Sequence, residues 1–119
     1  MALKMVLDCD TGVDDTMAIL YAALHDDIDL LGVGAVFGNV PVETATRNTT
    51  HTLAMVGRDE VPVAAGAAGP LDGRPQTYAF FVHGDDGQGN AGTGRPVAPP
   101  VQESAAEQLV RLVSAHPGE

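Results

Sequence analysis

Cysteine is nearly missing from the 119 residues: Cys9 stands alone, so no disulfide can form within the chain, and the composition fits a reducing compartment. Positive charge is scarce as well. Six Lys and Arg face 16 Asp and Glu, a net charge of -10. With no basic patch along the chain, nucleic-acid backbones and anionic membrane surfaces are excluded as expected partners. No apolar run is long enough to span a bilayer, and Met1 leads into an apolar stretch without a basic-then-apolar signal region, so a cytoplasmic enzyme is the expectation. No internal repeat is present. What remains is a chain 45% hydrophobic and 18% charged, which fits one small globular domain rather than a disordered segment.

The chemistry concentrates in Met5-Val6-Leu7-Asp8-Cys9-Asp10-Thr11-Gly12-Val13-Asp14-Asp15. An apolar strand delivers Asp8 and Asp10 at its carboxyl end, turns at Thr11-Gly12 and opens a helix whose first turn carries Asp14 and Asp15. Carboxylates this crowded raise one another's pKa and repel, so protons, backbone N–H donors or a cation must share the charge. A helix N-terminus provides some compensation, and a hard divalent cation bound through oxygen provides more. In parallel α/β sheets, ligands bind beyond the carboxyl ends of the strands, where these acids lie. Taken singly, Asp14 or Asp15 could equally be an ordinary first-turn residue. Cys9, surrounded by carboxylates that disfavour a thiolate, reads as a buried packing residue.

Along the chain, Lys4 to Asp8 reads as a strand buried on both faces, and Asp14 to about His25 as a helix with Met17, Leu20, Tyr21 and Leu24 on its inner face. Ile28 to Phe37 is a second strand, stopping at Gly38-Asn39. Pro41 to about Val56 is a second helix, with Ala45, Leu53 and Val56 as its apolar side and a middle, Asn48-Thr49-Thr50-His51-Thr52, that is weak by propensity. Val61 to Ala65 is a third, short strand. The order β-α-β-α-β predicts an α/β fold, a Rossmann-like parallel sheet with flanking helices. From Gly66 to Pro100, eight glycines and five prolines without periodicity predict a long loop with short ordered pieces at most. Ser104 and Glu107 form a capping box for a last helix with Ala105, Leu109, Leu112 and Val113 as its stripe, ended by His116-Pro117-Gly118. A helix with no strand to return to leaves such a sheet incomplete.

Two families share features with these residues. Asp8-Cys9-Asp10-Thr11-Gly12 resembles the D-x-D-x-T signature of haloacid-dehalogenase-type phosphatases, in which Asp8 would be the nucleophile and Asp10 the acid/base. The longer string Leu7 to Ile19 more closely resembles the D-x-D-x-G-x-D-D-x-x-A-I signature of inosine-uridine-preferring nucleoside hydrolases. Two later stretches, Val36-Phe37-Gly38-Asn39 and His83-Gly84-Asp85-Asp86-Gly87-Gln88-Gly89-Asn90, are similar to that family's V-x-G-N and H-G-x-x-G-x-G segments, in the expected order. The resemblance covers nearly all of this sequence but only the N-terminal part of the family's chain. It implies a single α/β domain or fragment over residues 1–119, with a Gly/Pro-rich active-site loop at about 66–103.

The resemblance implies roles position by position. Asp10 matches a metal-bound carboxylate that is also the general base, Asp15 a Ca²⁺ ligand, and Asp14 a ligand of ribose hydroxyls. Asn39 matches a residue hydrogen-bonded to the sugar, against its plainer reading as a turn residue after a strand. His83 matches a loop histidine beside the nucleobase, against a solvated side chain in a Gly-rich loop. Asp8 has a supporting position behind the others, and Asp85-Asp86 read as solvated. The implied reaction is Ca²⁺-dependent hydrolysis of a ribonucleoside's N-glycosidic bond to ribose and free base, a salvage reaction, carried out by a homo-oligomer. Asp10 and Asp15 alone offer too few oxygens for a full Ca²⁺ shell, so impaired activity is expected of this chain by itself. A third reading is a non-catalytic remnant that persists by assembling with itself or a longer partner.

Overall fold

Three parallel strands, β1 (Leu3–Cys9), β2 (Ile28–Ala35) and β3 (Val63–Ala65), lie side by side in that order in the computed structural model, which describes residues 1–92 and 96–119. Between them run α1 (Val13–Leu24) and α2 (Val42–Met55); a short α3 (Phe80–His83) and a final α4 (Ala105–Ala115) follow. This is the expected α/β sheet with flanking helices. The part of the Gly/Pro-rich loop at 93–95 lies outside the described residues.

Both faces of β2 are used, in different ways. Val33 packs with Leu30, Ile19, Ala22, Ala23, Leu53 and Val63 in the main core, under α1 and α2. On the other face α4 comes very close. A Cβ built on Gly32 would stand 3.0 Å from Leu112, and one on Gly34 3.0 Å from Ala105, so the small residues of this strand are what let the helix settle on the sheet. Gln108 of α4 is fully buried there, its Nε2 donating to the Val33 carbonyl at 3.3 Å.

Several boundaries and faces differ from the sequence reading. Helix α1 begins at Val13 and turns Ile19, Ala22 and Ala23 inward, while Met17, Tyr21 and Leu24 are exposed. Apolar residues surround most of this helix, so periodicity did not single out a face. Its contacts with β2 and α2 selected the small alanines, which permit close approach. Strand β2 ends at Ala35 rather than Phe37, because Val36 N–H turns to the Cys9 carbonyl and Phe37 N–H to the Ala67 carbonyl, each at 3.0 Å. Strand β3 begins at Val63, after Pro62, which has no N–H to give. The α4 capping box is present, with Glu107 N–H on Ser104 Oγ at 3.2 Å and Ser104 N–H on Glu107 Oε2 at 2.8 Å. Among the described residues no helix is long and apolar enough to cross a membrane.

Candidate active site

The acids meet where β1 gives way to α1. Gly12 is the N-cap of that helix, Asp14 and Asp15 lie in its first turn, and the Gly12 N–H points to Asp15 Oδ2 at 3.4 Å. Asp10, just past the strand, is held from the other side: its Oδ2 accepts the backbone N–H of Asn39 at 2.7 Å. Asn39 thus orients Asp10 through its main chain, and its carbonyl accepts the Ala79 N–H at 2.8 Å, tying the turn after β2 to the long loop. At Gly38 a Cβ would overlap the Asp10 carboxylate, so only glycine leaves that group its place.

Asp10 and Asp15 converge. Partial burial, then a side-chain hydrogen bond from Asp10, pushes the Asp15 carboxyl up to about 6. Two carboxyl groups held side by side instead of separating form an oxygen-rich centre suited in kind to a hard cation. It falls short in number. Among the described residues no three His, Cys, Asp or Glu side chains are arranged to hold a metal ion. Asp14 is 80% exposed and faces open solvent beside the pair. Asp8 is exposed and lines a groove between β1 and α4 with Val6, Gly34 and Ala105. Cys9 is buried, and that burial, followed by the charges of Asp15, Asp8, Asp10 and Asp14, pushes its thiol up to about 12, which leaves it inert as a nucleophile.

His83 is not a solvated side chain. It is buried, and its Nδ1 accepts the Val13 N–H at 3.0 Å, supplying the cap that Gly12 has no side chain to provide. A Cβ on Gly12 would come within 2.5 Å of that ring atom, so the glycine makes room for the histidine. Because Nδ1 is an acceptor in this bond, Asp14 Oδ1 at 3.9 Å is a neighbour of a neutral ring and not one half of an ion pair.

The loop around His83 is ordered by polar residues that the sequence reading passed over. Asp86, expected to be solvated, has a carboxylate that accepts the N–H groups of Gln88, Asn90 and Gly92, each at 2.8 Å. Burial works against its charge, yet those three donors together hold its carboxyl below the usual range. Asn48, buried on α2, donates to the Thr11 carbonyl at 3.2 Å and the Asp86 carbonyl at 2.8 Å, and so links the acidic turn to the loop. Thr11 Oγ1 and Thr49 Oγ1 meet at 2.7 Å. The weak middle of α2 is therefore its working face. Thr46, Asn48, Thr49 and Thr52 are all buried, and their three- and four-residue spacing was the available signal.

Against known proteins, the family described as inosine-uridine preferring nucleoside hydrolase matches residues 5–119. The chain is 42% identical over 116 residues to "Probable uridine nucleosidase 1" of Oryza sativa subsp. japonica, a match covering 98% of this chain and 36% of that protein. It is 41% identical to "Uridine nucleosidase 1" of Arabidopsis thaliana, with 98% and 34% covered. Among solved structures, "Plant nucleoside hydrolase - PpNRh1 enzyme" superposes with a TM-score of 0.92 at 37% identity, covering 98% of this chain and 37% of that one. The chain thus spans a little over a third of the length of these relatives. These matches favour the hydrolase resemblance over the phosphatase one, and the chain belongs to the inosine-uridine preferring nucleoside hydrolase family.

Proposed function

We propose that the chain contributes the acidic half of a centre that hydrolyses the N-glycosidic bond of ribonucleosides, giving ribose and free base. The observation that carries this reading is the convergence of Asp10 and Asp15 at the carboxyl end of a parallel sheet, in a protein of this family. Asp10 is the general base: the Asn39 N–H fixes one carboxylate oxygen and leaves the other to take a proton from the attacking water. Asp10 and Asp15 together would hold Ca²⁺, which when bound supplies charge for gripping and activating water and sugar hydroxyls. Asp14, open to solvent beside them, binds ribose hydroxyls, and Asn39 binds the sugar. As the glycosidic bond breaks, positive charge develops on the ribosyl ring, and these carboxylates stabilise it. His83 keeps the loop against the site and faces the nucleobase side. Asp8 supports the cluster from behind.

With two converging carboxylates against the roughly 6 to 8 oxygens of a full Ca²⁺ shell, the chain by itself binds Ca²⁺ weakly and turns over slowly. A cytoplasmic role in nucleoside salvage and a homo-oligomeric state complete the reading; the latter is supported by the exposed apolar stripe Val13, Met17, Tyr21 and Leu24 along α1. The test is ribose release from inosine and uridine, with Ca²⁺ and with chelator, for the chain and for Asp10→Asn. Slow, Ca²⁺-dependent release abolished by Asp10→Asn is expected. Release that survives both treatments, or Mg²⁺-dependent binding of beryllofluoride at Asp8, would overturn the assignment.

A further inference from the structure

Helix α2 is used on two sides. Asn48 and Thr49 reach the acidic turn at Thr11, while Val42, Glu43, Thr46, Arg47 and Thr50, at three- and four-residue spacing, form the opposite side. Along that side lies a slot of about 310 Å³ between the helix and the segment 97–100, with Ala65 at the carboxyl end of β3 as a further wall. Small-molecule sites begin at about this size. The slot's walls have few hydrogen bonds to offer. Val42, Val97 and Ala65 are apolar, and Pro99 and Pro100 have no N–H. The Thr46 and Thr50 hydroxyls already donate to the Val42 and Thr46 carbonyls, at 2.7 and 3.0 Å. Consecutive prolines also fix the φ angles of their segment, so that wall is stiff.

Charge enters the slot only through Glu43 and Arg47, both exposed. A Glu four residues before an Arg is the ordinary geometry of a helical ion pair, yet no ion pair joins these two. Lys4, Arg58, Arg74 and Arg111 each pair with a carboxylate, which leaves Arg47 as the one described Lys or Arg without an acid partner. Thr93, Gly94 and Arg95, outside the described residues, include no carboxylate. With 16 acids in the chain and a net charge of -10, a guanidinium left without one is unexpected. Arg47 offers donors only and an ionised Glu43 acceptors only, side by side on the helix. An anion would suit the first and be repelled by the second. What suits both is a neutral molecule with an acceptor next to a donor.

From this geometry we infer that the slot between α2 and the segment 97–100 is a binding site for a free nucleobase, a flat neutral ring with a C=O beside an N–H along one edge. The ring lies between the helix and the proline wall, its carbonyl accepting from Arg47 and its N–H donating to Glu43. Ribose hydroxyls find no comparable partners along apolar walls and spent threonine hydroxyls, so base is favoured over sugar. This choice of ligand rests on the hydrolysis reading, which makes free base a product. The site lies across α2 from the acids, so base held there does not occupy the centre formed by Asp10 and Asp15.

The test titrates the full chain, in chelator, with uracil, hypoxanthine, 1,3-dimethyluracil and ribose. It reads heat and backbone amide shifts rather than turnover, so its outcome is separate from that of the hydrolysis reading. Uracil and hypoxanthine are expected to bind and to shift the amides of Glu43, Arg47 and Ala98. Dimethyluracil, which has no N–H, and ribose bind at least about tenfold more weakly. Arg47→Ala and Glu43→Ala, at exposed helix positions, each weaken uracil binding by about tenfold, the worth of one hydrogen bond to a charged group, while circular dichroism is unchanged. Arg74→Gln, on an exposed loop residue, and Asp10→Asn leave uracil binding as it was. No binding of either base, shifts confined to the acidic turn, or an affinity indifferent to both helix substitutions overturns the inference. So does equal affinity for dimethyluracil, since the edge of the ring then plays no part. Base binding without ribose release leaves the slot standing and counts against hydrolysis alone.

Discussion

The ring of His83 caps the helix that carries Asp14 and Asp15: its Nδ1 accepts the Val13 N–H at 3.0 Å across 70 residues of sequence. A Gly-rich loop is thereby tied directly to the first turn of that helix. His83→Ala leaves that N–H unpaired and is expected to cost about 1 kcal/mol, the usual worth of an N-cap. His83→Asn places a carbonyl oxygen where Nδ1 stood and restores most of it. Chemical denaturation together with the exchange rate of the Val13 amide decides; if Asn destabilises as much as Ala, the ring matters for its bulk and not for its acceptor.

At Gly38 the expectation is local. Gly38→Ala forces a Cβ into the Asp10 carboxylate, so Asp10 must rotate off the Asn39 N–H or the turn must shift. Stability falls by about 1–3 kcal/mol, as overpacking does. Ca²⁺ affinity, followed by titration calorimetry, falls with it. Unchanged stability and affinity would mean that the turn gives way freely and Asp10 needs no fixed position.

Asp15 sets a pH dependence. Its carboxyl is raised from the ordinary 3.8 to about 6, so between those values the folded chain holds a proton there that the unfolded chain has released. The stabilisation is therefore complete below about pH 4 and is lost as pH rises through 6. In chelator, Asp15→Asn is expected to melt above the parent at pH 7 and level with it near pH 4. Ca²⁺ affinity of the parent runs the opposite way and strengthens above pH 6, because the proton competes with the cation. A melting difference that does not vary with pH would remove the raised Asp15 carboxyl from the account.

Asn48 tests the polar seam between the turn and the loop. Asn48→Ala removes the donor from the Thr11 and Asp86 carbonyls, at a cost of about 1–3 kcal/mol. Asn48→Asp keeps the shape but turns a donor into an acceptor facing two carbonyls, so it is expected to be at least as damaging. Amides of Gly87 to Gly89 should exchange faster in both variants. If Asn48→Asp is the milder of the two, the side chain is not donating as described.

Much of this protein is legible in order along the chain. The parallel sheet and its helices follow from runs of apolar residues broken by Gly, Pro and capping residues; Ser104 and Glu107 give the start of α4 outright. The acids of the turn are visible because carboxylates so close in sequence need a physical reason. The inner face of α1 was not legible, since Met17 and Tyr21 are as apolar as the residues that are buried and only the position of α2 decides between them. Nor was the role of α2's polar middle: Thr46, Thr49, Thr50 and Thr52 each donate to a carbonyl four residues back, which satisfies hydroxyls that in isolation weaken a helix.

The sequence by itself determined the α/β order, the family, and the place where negative charge gathers, because those depend on residues adjacent in the chain. Only the tertiary structure decided that Asp15 pairs with Asp10, that Asn39 acts on Asp10 through its main chain, and that His83 closes the helix from 70 residues away. Such contacts are set by how strands stack and loops return, and no local pattern encodes a distance between residues that folding brings together.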